Sequence, residues 1–498
     1  MTVIVTDHHE VPFEAAVKSA DDKDRAGGGG ESTVAVKKAG DILTSPREDE
    51  STVAANKCAD ARVSSITSAD SYASEPVAAV QMTREILPPA DAVIDPKRRD
   101  GHVRFKEICG AVVAYKFLQV MQKLSGQRFD DFFDEMLIFA GIATVCDVME
   151  LRDENRIFVK ESLKRIADTK NKGLRALINV NNLDARALSA YHYGFVIGPC
   201  FNASGRLEMA SRALGLLLEE DEKKAAEEAV VLRDMNDSRK DLTAKGVEKA
   251  VSILEAQESK TGLPKVIVIY LSDVHESIAG IIAGRIKEKY YRPTIILTES
   301  ADGGAKGSGR SIEKYDMFEN LSKCRDLFTK FGGHKMAAGL SLPKENIDEL
   351  RRRLNDDCTL SEEDFVKVLH LDMVLPFVHA DMELVREFEK LEPFGNGNEK
   401  PLFAQKDVAL LSGRIMGKNR NTGKYRVSDG SGQICDMMYF GDIEGFNDFL
   451  VDTFGRAKVD DLYEGRSDGN MKIKIAYYPN INVYNGRSSL QIIMSDFC

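Results

Sequence analysis

At 498 residues the chain is long enough for two to four domains with large buried cores. Its make-up, 43% hydrophobic and 30% charged with 38 Gly and 14 Pro, is ordinary for a globular protein; no apolar run approaches the ~18 residues of a membrane span, and the N-terminus lacks the basic and apolar regions of a signal peptide. A net charge of −11 argues weakly against a nucleic-acid binder, although the distribution of charge matters more than its sum, and eight scattered cysteines without a Cys-x-x-Cys pair argue against a disulfide framework or zinc ribbon and suit a reducing, cytoplasmic setting.

Residues 1–6 read as a buried strand that ends on Asp7-His8-His9. From Ser19 to about Pro76 the composition shifts to "GGGGES" and many Ser, Ala, Asp and Lys, with one aromatic (Tyr72) and one leucine (Leu43). Such a stretch buries too little apolar surface to offset its ordering entropy, so it is read as a disordered insertion bounded at 19–84. Order resumes at "ILPPADAVIDPKR" (86–98). "CGAVVAYKFLQVMQKL" (109–124) has helical spacing, and "FFDEMLIFAGIATVCDVMEL" (132–151) is an apolar helix running into Asp147. After "FNASGRLEMASRALGLLLEED" (201–221) comes a charged helix from about 222 to 258, which predicts a connector between two bodies. A second α/β unit follows. "KVIVIYL" (265–271), "RPTIILT" (292–298) and "AKGSGRS" (305–311) read as strands; "ESIAGIIAGRIKEKY", "YDMFENLSKCRDLF" and "NIDELRRRLNDD" read as helices; "KFGGHKMAAGL" (330–340) reads as a Gly-rich loop. From "LEPFGNGNEKPLF" (391–403) onward, short alternating strands and Gly/Asn turns predict a small β-barrel of OB type.

Several side chains invite chemistry. After a strand, alternate residues point to opposite sides, but a tight turn at Asp7-His8-His9 brings a carboxylate and an imidazole to one cleft. That pair suits Mn²⁺ or Mg²⁺ better than a soft-metal site; capping or surface polar residues are the alternative. Asp147 is either a helix cap or a buried carboxylate whose positive partner is a metal. Gly332 and Gly333 let backbone N–H groups approach an anion, with His334 as a donor to phosphate. Ser308 and Arg310 form a second anion-gripping loop, the arginine suited to bidentate contact, and Arg206 is a third arm. Three such loops beside an Asp/His site point to a phosphoester. "GRIMGKNRNTGKYR" (413–426) carries Arg414, Lys418, Arg420, Lys424 and Arg426 and no acid, so it either tracks a nucleic-acid backbone or is a solvated hairpin. Phe403, Tyr425 and Tyr439 either stack bases or fill the barrel.

Taken in order, "VIVTDHHEVP", "LPPADAVIDPKR", "CGAVVAYKFLQ", "ATVCDVMEL", "FNASGRLEMASRALGLLLEED", "DVHESIAGIIAGRIKEKYYRPTIILT", "GSGRSIEKYDMFENLSKCRDLFTKFGGHKMAAGL" and "LEPFGNGNEKPLF" resemble the RecJ single-strand-specific 5′→3′ exonucleases of the DHH phosphoesterase superfamily. The resemblance spans nearly the whole chain outside the insertion and is weakest over the last ninety residues. It implies an α/β fold made of a DHH domain (1–220), a long connecting helix (221–260), a DHH-associated phosphate- and DNA-binding domain (261–360), a linker (361–390) and an OB-fold domain (391–498). It also implies two-metal phosphodiester hydrolysis with Mn²⁺ or Mg²⁺, the ions ~3.5–4 Å apart, in a cleft between the two α/β domains. On matching positions, His8 is a metal ligand with Asp7 orienting it or joining the site, His9 lies beside the scissile phosphate, and Asp147 is the last metal-binding Asp. Arg206, Ser308, Arg310, Gly332, Gly333 and His334 hold substrate phosphates, in a pocket that favours a 5′-phosphate end. The expected partner is single-stranded DNA, in recombination and repair, with single-strand-binding protein and a RecQ-type helicase by family analogy; the chain is expected to be a monomer without membrane contact. The family's two earlier metal motifs precede the DHH triplet and have no counterpart in this chain, which is therefore expected to be N-terminally incomplete, with a poorly stable first domain, and inactive alone. The alternatives are a non-catalytic single-strand-binding member and a smaller DHH enzyme such as a nanoRNase, pAp phosphatase or manganese pyrophosphatase, against which the barrel speaks.

Overall fold

The computed structural model describes residues 4–7, 9, 13, 14, 84, 85, 87–207, 209–417, 420–484 and 486–498. The expected insertion therefore lies outside the described residues except at Arg84, and so do His8 and Lys418. The chain divides into two units, one of residues 1–5, 9–93 and 97–100, the other of residues 6–8, 94–96 and 101–498.

In the first unit, β2 (Phe13–Glu14) pairs antiparallel with β3 (Arg84–Glu85), and Arg98 bonds the Val93 carbonyl and the Asp100 carboxylate. β1 (Ile4–Thr6) and β4 (Ala92–Ile94) form a separate two-stranded sheet. The first strand is not buried as its apolar run suggests: Val5 is half-buried and Thr6 exposed.

A helical body follows: α1 (Gly110–Ser125), α2 (Asp130–Cys146), α3 (Asp153–Arg165), α4 (Lys172–Val180), α5 (Ala190–His192), one π-helical turn (Tyr193–Ile197), α6 (Gly198–Leu207) and α7 (Ser211–Leu218). α2 is apolar nearly all round because it is packed on two sides, Ile138 and Ile142 entering one core and Ala140 another. The 40-residue α8 (Glu222–Thr261) begins where the Asp221 carboxylate accepts from the amides of Lys223 and Lys224. Its first half gives Ala225, Ala229 and Leu232 to the helical body, and its second half gives Ala250 and Leu254 to the next lobe. That narrow stripe on an otherwise charged helix makes it the connector read from its composition.

The next lobe comprises β5 (Ile267–Leu271), α9 (Glu276–Tyr290), β6 (Thr294–Glu299), β7 (Ala305–Arg310), α10 (Met317–Lys323), β8 (Lys330–His334), β9 (Ala337–Leu342) and α11 (Ile347–Asp356). Its sheet has the order β5-β6-β7-β9-β8, parallel only between β5 and β6. Alternation assigns the faces: Ile267, Ile269 and Leu271 meet α8 and α9, while Val266 and Val268 join the core that includes Leu321, Leu350 and Leu354. "GSGR" lies in the strand expected over 305–311, whereas "GGH", expected as a loop, is also strand. Glycine lowers strand propensity but permits close approach of backbones. A Cβ on Gly333 would lie 2.4 Å from the Ala337 carbonyl oxygen, so only glycine fits that hairpin.

The last lobe holds β10 (Met373–Val374), α12 (Met382–Glu389), β11 (Phe403–Met416), β12 (Thr422–Ser428), β13 (Ile434–Tyr439), α13 (Ile443–Phe454), α14 (Arg456–Tyr463), β14 (Lys472–Tyr484) and β15 (Arg487–Phe497). The strands run β11-β12-β13-β15-β14, and the β14–β11 pairing closes them into a ring. Phe403, Tyr425 and Tyr439 all sit inside it, 3%, 0% and 6% exposed, so they fill the core and stack no bases. Among the described residues no helix is long and apolar enough to cross a membrane.

Candidate nucleic-acid phosphate site

Ser308 and Arg310 stand two apart on β7 and so share one face. That face meets α9 at Gly280, where a Cβ would fall 2.9 Å from Arg310 Nη2 and 3.0 Å from Ser308 Oγ. The missing side chain makes room for the guanidinium. Arg310 Nη1 donates to Ser308 Oγ and to the Gly309 carbonyl, both at 2.8 Å. The strand register then lays out two rows: Ser308–Gly339–Gly332, and Arg310–Ala337–His334. Facing residues in a sheet point the same way, with about 4.8 Å between strands, so His334 lies on the Arg310 face about 10 Å away. The floor between them is nearly bare, because a Cβ on Gly332 or Gly339 would meet nothing within 4 Å. His334 is exposed, and its Nδ1 accepts from the Met336 amide at 3.3 Å.

Two further guanidiniums approach from the helices. Arg206, near the end of α6, donates from Nη1 to the Ser277 carbonyl at 2.6 Å. Ser277 is itself set by His275, whose Nδ1 accepts from the Ser277 amide to cap α9. Arg239, on α8, donates to the buried Asn236 at 2.9 Å, and its Nε is buried without a hydrogen-bond partner. Burial, and then the charge of Arg206, push both Arg310 and Arg239 below the ordinary arginine value. Like charges so close destabilise one another. Among the described residues no carboxylate pairs with Arg206, Arg239 or Arg310. An unpaired, partly desolvated guanidinium cluster of this kind is built for an anion. Arg206 and Arg239 also line a groove of about 1040 Å³ among α6, α8 and α9, together with Phe195, Pro199, Asn202 and Lys240.

Asp147 occupies the C-cap of α2, where its amide bonds the Ala143 carbonyl at 2.9 Å. It is exposed, not buried as one reading of its apolar approach required. A carboxylate at the negative end of a helix dipole is unfavourable unless a cation compensates. Val148 follows in the left-handed region at φ 56°, a conformation costly for a β-branched residue. The "PFGNGN" segment of the ring lobe clamps this turn: Asn396 Nδ2 donates to the Val148 carbonyl at 2.8 Å, and its own carbonyl accepts from the Leu151 amide at 2.7 Å. Arg156 fastens the same segment by donating to the carbonyls of Lys390, Leu391 and Glu392. Burial pushes the neighbouring Cys146 thiol up to about 11, so it is no thiolate nucleophile at neutral pH.

The Asp7 amide donates to the Ile94 carbonyl at 3.0 Å, His9 is exposed, and His8 lies outside the described residues. Among the described residues no three His, Cys, Asp or Glu side chains converge as a metal-binding group. The described residues alone therefore do not fit a two-ion centre. On the ring, Arg414 lies opposite Lys424, and Ser412 opposite Arg426. These basic residues share the outer face, since Tyr425 between them points inward; Arg414, Arg420 and Arg426 are exposed, whereas Lys424 pairs with Asp436 at 2.8 Å.

Comparison with known proteins agrees with these lobes. Residues 263–359 match the DHHA1 domain model, and residues 371–496 the RecJ OB domain model. The chain is 31% identical to the single-stranded-DNA-specific exonuclease RecJ of Salmonella typhimurium, over 83% of this chain and 71% of that protein. It is 34% identical to the Bacillus subtilis protein of the same name, over 82% of this chain, but spans only 49% of that protein's length. Crystal structures of RecJ from Thermus thermophilus in complex with Mg²⁺ and with Mn²⁺ match at 25% identity with TM-scores of 0.65 and 0.66. The match covers 81% and 82% of this chain and 58% and 56% of those chains. The fold and the two domain matches together define a DHH-type architecture with DHHA1 and OB lobes. Within that class the similarity over 83% of this chain is specific: the chain belongs to the RecJ family.

Proposed function

We propose that this chain grips the phosphates of single-stranded DNA as a 5′→3′ exonuclease of RecJ type. The observation that carries the reading is the Arg206–Arg239–Arg310 cluster, which has no carboxylate partner among the described residues and stands beside a nearly bare glycine floor. Arg310 and Ser308 hold a terminal phosphate, Arg206 and Arg239 neutralise it from the helices, and His334 donates from the far side of the floor. The exposed Arg414, Arg420 and Arg426 follow the backbone further along. Divalent metal use is supported by the Mg²⁺ and Mn²⁺ complexes of the related structures. Asp7, His8 and Asp147 are the residues proposed to hold Mn²⁺ or Mg²⁺, with His9 beside the scissile phosphate. The test is the chain with Mn²⁺ and a 3′-labelled, 5′-phosphorylated single strand. Mononucleotides leaving the 5′ end, with chelator abolishing the loss and duplex spared, are expected of the chain joined to any coding sequence that precedes Met1, not of the chain alone; an intact strand at every Mn²⁺ concentration in both forms rejects the enzymatic reading. A second reading, a non-catalytic single-strand binder, is favoured by the lack of a converged metal group among the described residues. It requires tight, salt-dependent binding without hydrolysis.

A further inference from the structure

The ring lobe buries the aromatic residues that would ordinarily stack bases, and the helical body leaves two others uncovered. Tyr191 and Phe195 are 62% and 66% exposed, and their rings stack on each other at 4.9 Å with 24° between planes. They stand four residues apart across the π-helical turn, which places both on one side of the helix. Between them Tyr193 is fully buried, its hydroxyl 2.9 Å from Ser162 Oγ, so the platform rests on a fixed anchor. Exposed paired rings contribute nothing to the core and keep π faces available. Their surroundings are basic. Phe195 lines the groove that contains Arg206, Arg239 and Lys240, with Glu248 and Glu255 also among its lining residues. Tyr191 lines a second groove with Lys160, Lys164, Arg186 and Lys400, where Asp168, Glu389 and Glu392 are the acids.

We propose that Tyr191 and Phe195 form a base-stacking platform for the single strand whose phosphate is held by Arg206, Arg239 and Arg310. The occupant follows from charge: π faces beside cations match a polyanion carrying flat bases, and such stacking tolerates any sequence. The inference rests on the reading of the arginine cluster as a phosphate site, and the experiment separates the two. Equilibrium binding to the chain is measured at fixed salt with 5′-phosphorylated dT oligonucleotides, intact or with abasic positions moved along the strand. Wild type is expected to bind at least one abasic strand about tenfold more weakly than the intact one. Tyr191→Ala and Phe195→Ala are expected to bind the intact strand about tenfold more weakly and to lose sensitivity to that abasic position. Phe195→Trp keeps both properties, and the preference for a 5′-phosphate survives in every variant. Because both side chains are mostly exposed, the Ala variants keep the melting temperature of wild type. Alanine variants that bind like wild type and still sense the abasic site overturn the platform while leaving the phosphate site standing. A wild type that binds no single strand overturns both.

Discussion

Gly280 is a glycine because Arg310 and Ser308 occupy the space its side chain would take. Gly280→Ala therefore separates stability from binding. Alanine favours the α9 interior by about 1 kcal/mol over glycine, and the atoms it would touch are the ends of flexible side chains, so the melting temperature is expected to hold or rise. Arg310 must move aside, however, and affinity for a 5′-phosphorylated strand is expected to fall about tenfold, as for loss of one charge-assisted hydrogen bond; binding isotherms beside a melting curve check both. Arg239→Gln tests the arm that the sequence did not reveal. It should weaken binding of the phosphorylated strand several-fold while removing both the cost of burying a charge there and its repulsion from Arg206. Arg206, Ser308 and Arg310 were legible because Gly/Ser/Arg clusters are unusual. Arg239 was not, because "RDMNDSRKD" reads as one charged helix face, and only the packing of α8 against α6 shows which charge turns inward. Asp147 stood out as an acid after an apolar run, but its neighbour in the ring lobe, Asn396, lies 248 residues beyond the Val148 carbonyl that it holds. No local pattern announces such a clamp.

At the scale of elements, the turn bearing the aromatic pair has its own pH dependence. The Ser189 amide donates to His192 Nδ1 at 3.0 Å, and burial holds the His192 pKa below the ordinary value. The bond needs an unprotonated Nδ1. Because the folded value is lowered, this stabilisation is fully present above the unfolded value of about 6.5 and is lost as pH falls through the lower folded value. Amides of residues 189–195 are expected to exchange faster at pH 5 than at pH 7, after correction for intrinsic rates, while α2 and α3 keep their protection; equal protection at both pH values contradicts the assignment. The connector helix offers a second case. Leu254 is fully buried where α8 meets α9, so Leu254→Ala is expected to cost about 2–5 kcal/mol in chemical denaturation. The helix itself was readable, since a long charged segment with no Pro and a single Gly, Gly246, between two apolar units has few other uses. The strands β7 and β8 were read for their chemistry but β8 not for its geometry. The glycine-rich β8 lacks the alternating apolar pattern, and only its pairing with β9 defines it as a strand.

At the scale of the molecule, the order of lobes was legible from composition alone: apolar helices, a polar connector, an α/β unit with β-branched strands, then short strands with Gly/Asn turns. What could not be read was which faces remain open. The ring's aromatics were equally consistent with core and with stacking until its closure through β14–β11 placed them inside. The net charge of −11 likewise conceals a local concentration of guanidiniums that have no carboxylate partner among the described residues. The account stands on that concentration holding the end of a nucleic-acid strand. Fluorescence anisotropy of one oligonucleotide, with and without a 5′-phosphate, bound to wild type and to Arg206→Gln/Arg310→Gln tests it most directly. The expected result is an affinity at least about tenfold higher for the phosphorylated strand in wild type, a preference that disappears in the double variant. Equal affinities for the two strands in wild type, or a preference that survives the double substitution, would contradict it.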